Sequence, residues 1–328
     1  MTTLFSKHDV LELLPYKHLI EAVESAHIGL AEGRVVHPER STAAVPGLDT
    51  VVVPMLAISA DNALAVSKIL VDQPDDPAAP RQRSTIVAVD LRSGDCAALV
   101  DGAAVTLLRT AATSAVATRE LSRPGSHTLG ILGAGQQAVA HLEAISQVRD
   151  LTELVIWNRN PERADHIVAK AREMGLEAHR LDHPRAVVER SDILCTLTPA
   201  VDPLVHAADL HPGLHINAVG SPPRPDYREL ASDVLGSARV IVDSAPVARA
   251  ESGAVQAAFR DGTLDPTTPL VDLGEVLSGR APGRADAQEV TVFVSVGLGI
   301  QDLAAVTLML DTAAQRGAGH AVADWLRG

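Results

Sequence analysis

The feature that most constrains this chain is a short apolar run, His127–Leu132, that ends directly in Gly133-Ala134-Gly135-Gln136-Gln137-Ala138 and passes into a helical pattern over Gln136–Val148. A glycine pair at that spacing, between a buried strand and a helix, is the G-x-G-x-x-A form of the dinucleotide fingerprint. The first glycine permits a tight turn, and the second lets a pyrophosphate come up against the backbone. A residue as small as Ala138 lets helix and strand pack closely. Phosphates then sit at the helix N-terminus, where unpaired amides and the helix dipole favour negative charge. Alone, such a motif is weak, and a glycine-rich turn that binds nothing would look the same. Its surroundings give it weight: strand-like runs at Glu153–Trp157, Ile193–Thr198, His215–Val219 and Val240–Val242 follow, with a helical pattern at Pro161–Met174. Strands alternating with helices imply parallel βαβ units, so this region reads as an α/β, Rossmann-type doubly wound sheet. Gly133, Ala134, Gly135, Gln136 and Gln137 are its first candidate cofactor residues.

The end of the second strand decides which dinucleotide is favoured. An enzyme of the NAD type usually places an acid there to accept from the ribose 2′-hydroxyl. This chain has Asn158-Arg159-Asn160 instead. A neutral amide removes the repulsion of a 2′-phosphate and a guanidinium can pair with it, which favours NADP(H) over NAD(H). The alternative is a solvated arginine beside a turn-forming Asn-Pro pair.

The preceding region has a different character. Apolar residues recur at helical spacing over residues 7–32, with Pro15 beginning a second helix inside that stretch. Strand-like runs follow at Val51–Val53, Val66–Val71, Thr85–Val89 and Ala97–Val100, the middle pair separated by a polar loop from Asp72 to Arg83. An Ala-rich helical stretch, Thr106–Leu121, closes at Arg123-Pro124-Gly125. Near the C-terminus, Val290–Val296 reads as a strand and Asp302–Arg316 as a helix, a pair that would fold back onto the first region.

Composition removes several function classes. At 328 residues, two domains are the better prior. Aromatic residues are 2% of the chain, too few for base-stacking platforms, and a formal charge of −13 repels a phosphate backbone, so nucleic acid is not an expected partner. The two cysteines, Cys96 and Cys195, form no C-x-x-C pair, which fits a reducing cytosol. The segment Met1–Val10 lacks the apolar core of a signal peptide, and no run of about 18 apolar residues spans a membrane. A cytoplasmic protein is expected.

Four basic residues stand out against apolar surroundings. Lys68 lies in Ala-Val-Ser-Lys-Ile-Leu, Arg109 in Leu-Leu-Arg-Thr-Ala-Ala, and Arg40 follows His37-Pro38-Glu39, whereas Arg34 reads as loop punctuation. A buried cation is costly unless it meets an anion, whether a structural acid or a ligand. The histidines show no metal spacing; His211 and His215 are separated by Pro212 and Gly213, which break any helix between them. Ser295 lacks the upstream glycine of a hydrolase elbow.

Taken in order, AVSKIL around Lys68, TLLRTAATSAVAT around Arg109, LGILGAGQQA, VIWNRN, HINAVGSPPRPDYREL, VIVDS and TVFVSVGLGIQDLAA resemble the ornithine cyclodeaminase/mu-crystallin family from about Lys7 to Gly317. The WNR and RPDYREL runs bring it nearest to the mu-crystallin, or ketimine reductase, branch. The resemblance implies an α+β substrate-binding and dimerisation domain, residues 1–120 and 296–328, beside the dinucleotide-binding domain, residues 121–295. It makes Arg40, Lys68 and Arg109 the catalytic set that holds a substrate carboxylate and its reacting nitrogen. It places Thr110, Asn158, Arg159, Thr198, Val219, Ser221 and Ser295 near the cofactor. The implied activity is NAD(P)H-dependent reduction of small α-imino acids, or amino-acid dehydrogenation, in a homodimer. The rivals are a cyclodeaminase that turns ornithine into proline with bound NAD+, and a non-enzymatic small-molecule binder. Two departures bear on this. Where cyclodeaminases carry a catalytic aspartate, this chain has Pro222, with Asp226 farther on; and Arg81 and Arg83 stand where small or hydroxyl residues are usual, either to read a second acid group or simply exposed.

Overall fold

The computed structural model describes residues 2–73, 81–222 and 224–322. Its contacts divide the chain into two compact units, Met1–Thr110 with Gly297–Gly328, and Ala111–Val296.

The first unit begins with β1 (Thr2–Phe5), α1 (Lys7–Leu13) and α2 (Tyr16–Ala31). Ser6 starts α1 through a capping box in which Asp9 N donates to Ser6 Oγ while Ser6 N donates back to Asp9 Oδ2. Pro15 cannot continue α1 and stands at the N-cap of α2 with extended backbone, so the expected second helix begins one residue later. Then come β2 (Val35–Val36), β3 (Ala43–Ala44), β4 (Val51–Ser59), β5 (Leu64–Asp72), β6 (Gln82–Asp90), β7 (Cys96–Asp101) and the start of α3 (Gly102–Leu121). They form a sheet of order β16-β1-β7-β6-β5-β4-β2, with β3 also pairing β4; β16 is the C-terminal strand His320–Val322. All pairings are antiparallel except β1 with β7. The strands run longer than their hydrophobic runs imply, because one face alone is buried: Leu64, Val66, Lys68, Leu70 and Asp72 of β5 point inward while Ile69 is 47% exposed.

The second unit carries the rest of α3 and an eight-stranded, all-parallel sheet: β8 (Thr128–Leu132), β9 (Glu153–Trp157), β10 (Glu177–Arg180), β11 (Ile193–Thr196), β12 (His215–Ala218), β13 (Arg239–Val242), β14 (Val271–Asp272) and β15 (Thr291–Val294). Its helices are α4 (Gln136–Ile145), α5 (Pro161–Glu173), α6 (Pro184–Arg190), α7 (Ser232–Gly236), α8 (Ala245–Glu251), α9 (Gly253–Arg260) and α10 (Leu273–Leu277). The strand order is β10-β9-β8-β11-β12-β15-β13-β14, so the winding reverses between β8 and β11. A doubly wound sheet binds its ligand in the crevice at such a reversal.

The C-terminal pair behaves differently from the reading that folded both members back. Strand β15 stays in the parallel sheet, between β12 and β13, and only α11 (Gly299–Arg316) joins the first unit, where it packs on β4, β5 and α2. A strand buried along its whole length, such as Thr291–Val294, is what a parallel sheet covered on both faces takes. The contact division falls inside α3, at Thr110/Ala111, ten residues before that helix ends. No helix among the described residues is long and apolar enough to cross a membrane.

Candidate active site

In the second unit, the loops after β8, β9 and β11 enclose a cavity of about 560 Å³, lined by Gly133, Ala134, Gly135, Trp157, Asn158, Arg159, Asn160 and Thr198 among others. Gly133 has φ +108, and a Cβ there would lie 2.6 Å from Leu197 O, so only glycine makes this turn. Gly135 is the N-cap of α4 with extended backbone, and a Cβ on it would meet nothing within 4 Å. That open approach to the first amides of α4 is the space a pyrophosphate needs. Asn158 accepts from Ala134 N at 3.1 Å and donates to Asn160 O at 2.8 Å, so its side chain ties the β9 loop to the glycine turn. Asn160 caps α5, accepting from the amides of Glu162 and Arg163. Gln136 is exposed, whereas Gln137 is half-buried and its carbonyl bonds His141 Nδ1.

The sequence reading missed Glu229, which organises the other rim. It is 2% exposed and accepts from Thr196 Oγ1 (2.9 Å), Thr198 N (2.6 Å), Thr198 Oγ1 (2.9 Å) and Gly220 N (2.7 Å). One carboxyl group thereby holds together the loops that leave β11 and β12. Burial pushes its pKa up to about 7, against four hydrogen bonds that favour the carboxylate. Val219 donates to Thr196 O at 3.1 Å, and Ser221 and Ser295 line a separate small recess beside Glu229, with Ser295 Oγ 3.3 Å from Asp243 Oδ2.

In the first unit, α11 brings in the residues that turn three isolated cations into one cluster. Lys68 Nζ lies 2.9 and 2.7 Å from the two carboxylate oxygens of Asp302 and 3.2 Å from Thr106 Oγ1. Arg109 Nη1 donates to Gln301 Oε1 at 2.5 Å, and its Nε lies 3.4 Å from Asp302 Oδ1. Arg40 Nη1 donates to Gly297 O at 2.7 Å. Lys68 and Asp302 are wholly buried and Arg109 is 5% exposed. Burial pushes the Lys68 pKa from 10.5 down to about 7; Arg109 and Arg40 push the same way, while Asp302 holds it up. Lys68 and Arg109 thus share the Asp302 carboxylate.

Asp302 and Gln301 were legible only as part of the GIQDLAA run, where an acid and an amide precede an apolar stretch. Thr110 belongs to the first unit, and its hydroxyl donates to Thr106 O, one turn back in α3. Arg81 forms a bidentate pair with the buried Asp72, at 2.8 and 3.1 Å, and so anchors the ends of β5 and β6. Arg83 is exposed, on the face of β6 opposite Ile86, the cross-strand neighbour of Lys68. A strand alternates faces, so Arg83 points away from the Lys68 cluster. The stretch 74–80 of the polar loop lies outside the described residues. Pro222 is buried, and Asp226 is exposed in a turn.

Comparison with known proteins fits this architecture. The ornithine cyclodeaminase/mu-crystallin family matches residues 1–317. Mouse ketimine reductase mu-crystallin is 33% identical over 86% of this chain and 86% of its own. The structure of Thermococcus litoralis Delta(1)-pyrroline-2-carboxylate reductase in complex with NADH and L-proline superposes with a TM-score of 0.93 at 31% identity, covering 98% of this chain and all (100%) of that one. An archaeal alanine dehydrogenase dimer with bound NAD gives 0.91 at 27% identity, covering 99% of each chain. The chain is a member of the ornithine cyclodeaminase/mu-crystallin family.

Proposed function

We propose that this protein is an NAD(P)H-dependent reductase of small α-imino acids, cyclic ketimine carboxylates foremost, working in reverse as an amino-acid dehydrogenase. The observation that carries the proposal is the buried Lys68–Asp302 pair flanked by Arg109 and Arg40, in a chain that also holds a dinucleotide crevice. A pyrroline-2-carboxylate reductase and a ketimine reductase as relatives support the same reaction class. The chain is an oxidoreductase of C=N and CH–NH groups with a nicotinamide cofactor.

Gly133, Ala134 and Gly135 would hold the pyrophosphate, and Asn158 and Arg159 the adenosine ribose. Reduced nicotinamide bound there supplies the hydride. Arg109 and Arg40 hold the substrate carboxylate, which fixes the imine for attack. As the carbon gains hydride the nitrogen needs a proton, and Lys68, with its pKa near 7, is suited to give it or to polarise the C=N bond. Asp302 favours the protonated form of Lys68 and orients Nζ, and the Thr106 hydroxyl gives Nζ a second partner.

NADP(H) is the cofactor we favour. Arg159 and Arg163 both line the cavity at the end of β9, and the one acid among its described lining residues, Asp202, comes from the loop after β11. Arg159→Ala should raise the KM for NADPH about 10-fold or more, the loss of a charge-assisted bond, and leave that for NADH almost unchanged. A second copy of the chain is the expected partner. The outward face of the first sheet carries Leu56, 37% exposed, and Ile69, 47% exposed, and a relative of this fold is a dimer. Cys96 and Cys195 are buried free thiols, which suits the cytoplasm.

The deciding experiment offers purified protein two substrates in parallel. A cyclic ketimine carboxylate should oxidise NAD(P)H stoichiometrically. Ornithine should release no ammonia; ammonia release without net change in nicotinamide absorbance would assign the cyclodeaminase reaction instead.

A further inference from the structure

His27, on α2, has no part in the chemistry above, yet it is fully buried and its ring meets the side-chain amide of Gln301: the two Nε2 atoms are 3.3 Å apart. Gln301 Oε1 faces the other way, accepting from Arg109 Nη1 at 2.5 Å and from Leu298 N at 3.3 Å. An amide nitrogen only donates, so the contact is a hydrogen bond only when His27 Nε2 keeps its lone pair and the ring proton is on Nδ1. Nδ1 has no hydrogen-bond partner. A buried N–H without an acceptor costs about 1–3 kcal/mol. The other tautomer would turn Gln301 over, setting its NH2 group against the Arg109 guanidinium. Burial first, then Arg109 and His37, push the His27 pKa down to about 4, which keeps the ring neutral.

We propose that His27 and Gln301 form a positioning relay for Arg109, in which the ring fixes which end of the Gln301 amide meets the guanidinium and so how Arg109 is held for a substrate carboxylate. The Arg109–carboxylate contact rests on the function proposed above; the relay itself rests on the side-chain geometry. Neither His27 nor Gln301 is a catalytic residue on this account. Both act through Arg109, so their loss should appear in the affinity for the acid and not in that for the cofactor.

The test uses His27→Phe, which keeps a ring but removes the acceptor, and His27→Gln, which returns an amide oxygen near the place of Nε2. His27→Phe should raise the KM for a cyclic ketimine carboxylate about 10-fold, the scale of one charge-assisted hydrogen bond, with the dinucleotide KM unchanged and kcat within about three-fold. His27→Gln should restore most of that KM. In a Gln301→Met background, adding His27→Phe should cost nothing further, because the link is already cut. A KM indifferent to His27→Phe, a parallel rise in both KM values, or full additivity with Gln301→Met overturns the relay. The ring can also be read without substrate. Nitrogen-15 imidazole spectra of the intact protein, with the His27 signals identified by their loss in His27→Phe, should show the Nδ1–H tautomer, and an Nε2–H tautomer overturns the proposal. A wild-type protein that reduces no imino acid would sink the reading of Arg109 as a carboxylate holder, and the ring spectrum would still decide the relay.

Discussion

The two units hold their candidate sites by opposite means. In the second, the cavity is made largely of backbone: a turn that only Gly133 can make, an uncovered helix start at Gly135, and an asparagine tied to main chain. In the first, the cluster is made of side chains from segments far apart in sequence, Arg40, Lys68, Arg109 and Asp302. A backbone cradle recognises a shape that recurs in every dinucleotide, so it tolerates variation in the residues around it. A buried charge cluster depends on each member, because deleting one strands another in a low-dielectric interior. Binding and chemistry should therefore fail separately.

The largest effects should come from a crossed pair of variants. Lys68→Met should lower kcat/KM for imine reduction by about 10³-fold, within the range for a positioned acid/base, while dinucleotide affinity measured by nicotinamide fluorescence stays at the wild-type value. Gly135→Val should abolish that affinity by filling the open approach to α4, and reduction with it, since the dinucleotide supplies the hydride. If Lys68→Met loses dinucleotide affinity as well as reduction, the contrast between the units is wrong. Next is Asp302→Asn. The reductive rate, which needs protonated Lys68, should fall as pH rises through about 7 in the wild type. Asp302 raises that pKa, so its removal should shift the limb of the pH–rate profile to lower pH. An unmoved limb would exclude Lys68 as the titrating group. A smaller change is expected of Glu229→Gln, since an amide can accept at only one end and leaves Thr198 N or Gly220 N facing an NH2 group. The dinucleotide KM should rise about 10-fold, equivalent to one unsatisfied buried donor, with the imino-acid KM little altered. Arg83→Ala should change no kinetic constant by more than about two-fold, as befits an exposed side chain on the far face of β6.

The same contrast explains what the sequence made legible. The strand, GAGQQA and helix lie within some twenty contiguous residues, and the physical requirement for glycine is local, so the crevice could be read directly. Lys68 and Arg109 were visible as cations in apolar runs, but their grouping came from family resemblance, since nothing local brings α11 onto β5. Asp302 shows why: its partner Lys68 is 234 residues away. Glu229 was equally hidden, because a buried acid between Arg228 and Leu230 has no local signature and its four donors come from two other loops. The strands β1 and β16 were missed for a different reason, being short edge pieces that become strands only by pairing with β7 and with each other. The alternation rule resolved Arg83, which composition could not.

In the proposed reaction, the charge cluster of the first unit grips an acid whose imine carbon the nicotinamide reduces. The most direct measurement compares NAD(P)H oxidation with a cyclic ketimine carboxylate and with its uncharged carboxamide, in the wild type and in Arg109→Met. The wild type should prefer the carboxylate about 100-fold or more in kcat/KM, and Arg109→Met should erase most of that preference. Equal rates on the two substrates, or a preference that survives Arg109→Met intact, would contradict that grip on the acid.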